Sequence, residues 1–115
     1  MPTYRLEEEA IEKGTYVITV EFEDEDGDAI TPKTLTWTLS DKKGRIINSR
    51  EDVSVVAPSS SNDIVLSGND LASPNTDNRV RIFTAEATYD SLSYGNDLPI
   101  KEEAEFVVRK LINVS

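Results

Sequence analysis

The densest chemistry in this sequence is a run of carboxylates, Glu21, Glu23, Asp24, Glu25, Asp26 and Asp28, interrupted only by Phe22 and Gly27. Hard oxygen ligands in a short loop suit Ca²⁺, which takes about six to eight of them. Counted as an EF-hand loop, the first three ligand positions fall on Asp24, Asp26 and Asp28. The glycine position then holds Ala29, and the closing glutamate position holds Leu35. The match fails at both places that discriminate. A solvated turn, bent at Asp26-Gly27, accounts for the same residues. No metal or other cofactor is expected, and Ca²⁺ at Asp24, Asp26 and Asp28 is the weaker alternative.

A second candidate is Asp90-Ser91-Leu92-Ser93-Tyr94-Gly95-Asn96-Asp97. Tyrosine offers rigid contact area, while Ser, Gly and Asn adapt their hydrogen bonds, the composition of a recognition loop. Tyr94, Asn96 and Asp97 are the candidate binding residues. The same residue types also dominate ordinary turns.

Other chemistries lack their parts. The chain has no His and no Cys. That removes imidazole acid–base catalysis, thiolate nucleophiles and Cys/His zinc sites. Ser59, Ser60 and Ser61 have no histidine to serve as base, and no Ser-x-x-Lys occurs. Paired carboxylates for glycoside cleavage need a cleft and one raised pKa, whereas these acids cluster at turns and on polar strand faces. The expectation is a protein that is not an enzyme.

Charge narrows the partners. The net charge is −10, and residues 1–28 hold ten acids against Arg5 and Lys13, which is −8 of that total. Such a field repels phosphate backbones and anionic lipid surfaces, so neither nucleic acid nor membrane is expected. The start, MPTYRLEEEA, has no apolar core of a secretion signal, and synthesis in the cytoplasm is the expectation.

The elements that must position these residues are read from alternation. In Thr15–Glu23 the residues Tyr16, Ile18, Val20 and Phe22 are apolar and their neighbours mostly polar. Leu35, Trp37 and Leu39 alternate with Thr34, Thr36, Thr38 and Ser40. Period two is the signature of a half-buried strand. Trp37 between two leucines is a core residue on this reading. Asp41-Lys42-Lys43-Gly44 predicts a turn and Arg45–Arg50 a returning strand. Short strands follow at Asp52–Val56 and around Ile64 and Leu66. Gly68–Asn78, with Pro74, is a polar connection. Arg79–Tyr89 is the longest predicted strand, with a bulge or two-sided burial where Ile82 falls out of phase with Phe83. Asp90–Pro99 is a loop, and Glu103–Leu111 a last strand with Ala104, Phe106 and Val108 inward. Arg5–Lys13 reads as an edge strand over Glu9–Glu12, with helix as the alternative, and residues 1–8 as a loose start. Asn113-Val114-Ser115 matches a glycosylation acceptor by chance.

The whole chain, 1–115, is expected to form one domain, since 115 residues suit one core. About seven short strands at this spacing predict an all-β, immunoglobulin-like antiparallel sandwich. The phrases Gly14-Thr15-Tyr16, Asp26-Gly27-Asp28-Ala29-Ile30-Thr31-Pro32, Leu35-Thr36-Trp37-Thr38-Leu39-Ser40-Asp41 and Gly44-Arg45-Ile46-Ile47-Asn48 resemble immunoglobulin-like and fibronectin-III-like domains of bacterial surface proteins. They resemble small accessory proteins of tailed-phage virions more closely still. The resemblance spans Gly14 to Leu111 and departs from antibody domains in lacking both cysteines. It implies a structural or binding module of a virion, docked on capsid, connector or tail, with other virion proteins or a host-surface receptor as partners. The alternative is a carbohydrate- or protein-binding adhesion module of a bacterial surface protein. The resemblance carries no catalytic residues across.

Overall fold

The computed structural model describes residues 3–6, 8–72 and 79–111. Pro74 and the tripeptide Asn113–Ser115 lie outside them. The elements are strands β1 (Thr3–Arg5), β2 (Ala10–Ile11), β3 (Thr15–Glu21), β4 (Thr34–Asp41), β5 (Val53–Ser54), β6 (Ser61–Ser67), β7 (Val80–Ser91) and β8 (Gly95–Arg109). One 3-10 turn, Gly68–Leu71, follows β6. No helix among the described residues is long and apolar enough to cross a membrane.

The protein is all-β and built from two sheets. The larger is curled and runs β1-β8-β7-β4-β5, with β2 also on β8. β7 is antiparallel to both of its neighbours, β4 and β8, while β1 and β2 lie parallel to β8. The smaller sheet is an antiparallel ribbon of β3 and β6 alone. Alternation drives both. Every second residue of β3 (Tyr16, Ile18, Val20) and of β6 (Ile64, Leu66) is buried, against Leu35, Trp37, Leu39, Phe83, Ala85, Phe106 and Val108 of the larger sheet. Trp37 is 7% exposed and stacks on Phe83 with ring centroids 5.6 Å apart. Tyr16 stacks on Phe106 at 4.8 Å and joins the two sheets. A buried aromatic of this size is among the largest single contributors to a small core.

Some expectations are met and others corrected. The edge strand expected over Glu9–Glu12 is present as β2, Ala10–Ile11, and the chain turns at Gly14, whose N–H donates to Ile11 O at 2.9 Å. The turn Asp41–Gly44 is present, with the Gly44 N–H on Asp41 O at 3.1 Å. The strand expected over Arg45–Arg50 is a coil that meets β4 through the bridge Ser40↔Ile46 and through the Leu39 N–H, which donates to Arg50 O at 2.8 Å. Asn48 and Ser49 adopt left-handed φ of 52° and 58°, which no strand tolerates. Pairing from Val80 to Tyr89 is unbroken, so of the two readings at Ile82-Phe83 the bulge is absent, whereas Ile82 is half-buried on the face opposite buried Phe83; the register shifts between Tyr89 and Ser91. Arg81 is fully buried on the inward face. The Gly68–Asn78 connection begins with an ordered turn that buries Asp70 and Leu71.

The Asp90–Pro99 loop is mostly strand. β8 begins at Gly95, and Pro99 pairs with Thr88 within it. Leu6 N donates to Glu105 O across the outer edge of β8, so odd-numbered residues of β8 present their backbone to that edge. The missing N–H of Pro99 therefore faces away from β7, where no ladder bond is lost.

Candidate binding site at the tip of the long hairpin

β7 and β8 form one hairpin, and the 15 residues of β8 extend roughly 50 Å at about 3.3 Å per residue. That matches the longest dimension of the molecule, 53 Å. β4 accompanies β7 only as far as Thr88, and β1 joins β8 only from Glu103. Beyond these points Tyr89–Ser91 and Gly95–Leu98 stand out with only each other as strand partners among the described residues.

Local hydrogen bonds hold this projection in one shape. Ser91 Oγ accepts the N–H of Ser93 at 3.2 Å and of Tyr94 at 3.1 Å. Asp90 Oδ1 accepts the Asp97 N–H at 3.0 Å. Lys33 Nζ reaches Asp97 Oδ1 at 2.6 Å and Asp90 Oδ1 at 3.2 Å. Lys33 is anchored in turn, since its N–H donates to Thr88 O at 2.7 Å. The Asp97 N–H, with Lys33, lowers the Asp90 pKa against a smaller opposing effect of burial. The bonds to Asp97 and Asp90 raise that of Lys33. Asp97 sits at φ 57° and Gly95 at φ 114°; the second is a conformation glycine reaches without strain.

The tip presents two large apolar side chains. Leu92 is fully exposed at 110%, and Tyr94 at 70%. Of the three residues predicted from sequence, Tyr94 and Asn96 are exposed at the tip, while the Asp97 carboxylate is engaged by Lys33. Leu92 was missed. Its signal was available: a leucine among turn formers has no core to enter.

The acidic turn is organised differently from the predicted triad. Asp24 Oδ1 accepts the N–H groups of Asp26 and Asp28, each at 2.9 Å, and Asp24 N donates to Asp28 O at 2.9 Å. Carboxylate oxygens of Asp24, Glu25 and Asp26 lie within 4.8 Å of one another, and Asp28 is not among them. Glu25 also accepts from Tyr89 Oη at 3.4 Å, and burial followed by that charge raises the Tyr89 pKa. The serine run is occupied by its own turn: Ser59 Oγ donates to Ser61 O at 2.6 Å.

The buried acids Glu12, Asp41 and Asp70 were not singled out from sequence; Glu12 accepts the Leu111 N–H at 3.1 Å. Asp70 is 1% exposed and accepts from Asn48 Nδ2 and Arg50 Nε, both at 2.8 Å, and from Ser67 N at 3.1 Å. Burial alone would raise its pKa, but these donors lower it. Asp41 lies opposite Arg81 in the β4–β7 register. Its carboxylate accepts from Lys43 N at 2.8 Å, Arg45 N at 3.0 Å and Arg45 Nε at 2.8 Å. Burial opposes these bonds and loses, leaving a pKa of about 2. The Arg81 guanidinium donates to Val80 O at 3.0 Å and Ala72 O at 2.8 Å. These groups fasten loops to strands and do not meet at a cleft.

No protein-family model, curated protein or solved structure matches the chain.

Proposed function

We propose that this protein is a non-enzymatic structural or binding module of immunoglobulin-like architecture, engaging a protein partner through the tip of the β7–β8 hairpin. One observation carries the reading: Leu92 and Tyr94 are held exposed on a hydrogen-bonded turn at the end of the longest hairpin. Apolar side chains kept in water on an ordered turn gain most when a partner covers them. The tip needs little ordering on binding, which lowers the entropy cost of association.

Strand order supports the architecture. An immunoglobulin domain of the variable type sets strands G, F, C and C′ side by side opposite B and E, with a core tryptophan on C. Here β8-β7-β4-β5 lie opposite β3-β6, and Trp37 is on β4. The turn-and-strand phrases resemble those of virion accessory proteins, and that resemblance suggests the setting: a protein docked on capsid, connector or tail. The exposed phenol of Tyr94 beside Asn96 also suits a glycan, the second reading as an adhesion module.

The test is a pair of binding assays, one against purified products of the neighbouring genes by light scattering, the other on a glycan array. The double variant Leu92→Ser with Tyr94→Ala should melt like the parent and lose binding in one of them. Binding that survives the double variant unchanged overturns the assignment to the tip.

A further inference from the structure

Among the described residues β3 is hydrogen-bonded along one side only. Gly68 N donates to Gly14 O at 3.0 Å, one step before the pair Thr15↔Ser67. Bonded and non-bonded pairs alternate along an antiparallel ladder. The bonds to β6 therefore fall at Tyr16, Ile18 and Val20. The N–H and C=O groups of Thr15, Val17, Thr19 and Glu21 point the other way, and among the described residues no backbone group bonds to them.

Natural sheets blunt such edges with lysine, proline, a bulge or extreme shortness. β3 has seven residues, no proline or lysine, and unbroken register. At its centre Val17 is 52% exposed, directly across from Val65 at 56%. The open edge also borders a groove. Two adjoining hollows of about 610 and 480 Å³ run beside it and share Leu6 and Thr19. Their apolar lining includes Leu6 and Ile100, and their charged lining is Glu8, Glu21, Glu23, Asp24 and Glu102, with no lysine or arginine. Burial, then the charge of Glu23, raises the Glu102 pKa. Among the described residues lining these hollows every charge is negative, and a cation would be favoured there.

We propose that the open edge of β3 takes up one extended, basic segment of a partner protein as an added strand. Main-chain hydrogen bonds to Thr15, Val17, Thr19 and Glu21 supply the pairing, and the carboxylate rim selects lysine or arginine side chains. This surface is separate from the hairpin tip, so either can fail alone.

The experiment titrates the ¹⁵N-labelled full chain with an acetylated peptide of alternating lysine and valine, as long as β3, and with its glutamate counterpart. The lysine peptide should slow amide exchange at Thr15, Val17, Thr19 and Glu21, and the glutamate peptide should leave those amides unchanged. Thr19→Pro removes an outward N–H and leaves the backbone ladder to β6 in place, at the loss of the Thr19 Oγ1 bond to Asp63 Oδ1, and should weaken the lysine peptide roughly tenfold, as loss of one main-chain bond does. Should Thr19→Pro fail to fold, the charge reversal Glu23→Lys with Glu102→Lys decides, with an expected loss of similar size. Equal binding of both peptides, protection elsewhere than on β3, or indifference to both variants overturns the proposal. So does self-association of the chain through β3 that excludes the peptide, which would make the occupant a second copy.

Discussion

β3 and β4 carry the same alternation but have different neighbours. Tyr16, Ile18 and Val20 are buried on one, and Leu35, Trp37 and Leu39 on the other. β4 is flanked by β5 and β7, whereas β3 has β6 alone. The outward residues record the difference: Thr36, Thr38 and Ser40 are half-buried, while Thr15, Val17 and Thr19 are exposed. Period two says which face of a strand meets the core. It does not say whether a strand is central or at an edge, because neighbours along the sheet are joined by backbone groups that all residues share. The larger sheet therefore pairs its central strands on both sides, while among the described residues the ribbon pairs each of its strands on one side only.

The largest test of that contrast is at mid-strand. Trp37→Ala should cost ~3–5 kcal/mol in denaturant melts, since it empties a stacked, buried site. Val17→Ala, at mid-ribbon on the wet face, should cost under about 0.5 kcal/mol. A loss under about 1 kcal/mol at Trp37 would break the comparison. A smaller effect is expected where the two regions are stapled. Asp70, just beyond β6, holds Arg50 and Asn48 of the coil that follows β4. Asp70→Ala leaves their donors without this acceptor and should cost ~1–3 kcal/mol, read in the same melts. A neutral result would mean the ribbon is held by apolar contact alone.

Much of this was legible in the residues. Alternation located β3, β4, β6 and the inner half of β7, and the Asp41–Gly44 turn followed from its residue types. The misses share a cause. Pro99, Asn96 and Asp97 are turn formers, yet they lie in β8 because their strand is open on its outer side. Arg81 broke the apolar pattern of β7 because its charge is met by backbone carbonyls and by Asp41, partners distant in sequence or invisible to hydropathy. Of the candidate site, Tyr94 and Asn96 were legible from loop composition. Leu92 was legible too, as a leucine set among turn formers, and was passed over.

Acid should act on the larger sheet through Asp41. Its folded pKa of about 2 lies below the ordinary 3.8, so the folded state holds the carboxylate ionised more firmly than the unfolded chain does. The stabilisation is complete above the ordinary value and is lost as pH falls toward 2. Melting temperature should therefore drop across that window, and Asp41→Asn should flatten part of the drop. Asp70, whose pKa is lowered in the same direction, supplies part of what remains. An unchanged slope in Asp41→Asn would place the acid sensitivity on the ribbon side.

The smallest expected effect belongs to the acidic turn at the end of the ribbon, where Ca²⁺ should leave the melting temperature where a chelator leaves it. A ligand of the native state must raise stability in proportion to its occupancy, and occupancy needs about six to eight oxygens. The turn converges three adjacent carboxylates, Asp24, Glu25 and Asp26. One oxygen of Asp24 already closes the loop onto the N–H groups of Asp26 and Asp28. Gly27 N donates to Asp24 O at 3.1 Å, at a φ of 82° that glycine adopts freely. The bend is thus closed by its own backbone and by the Asp24 carboxylate, without an ion, and its charge adds to the field of the neighbouring groove. A rise in melting temperature with Ca²⁺, absent with Mg²⁺, would show instead that the ion organises this end of the ribbon, and the acidic rim would then be a metal site first and a peptide-selecting surface second.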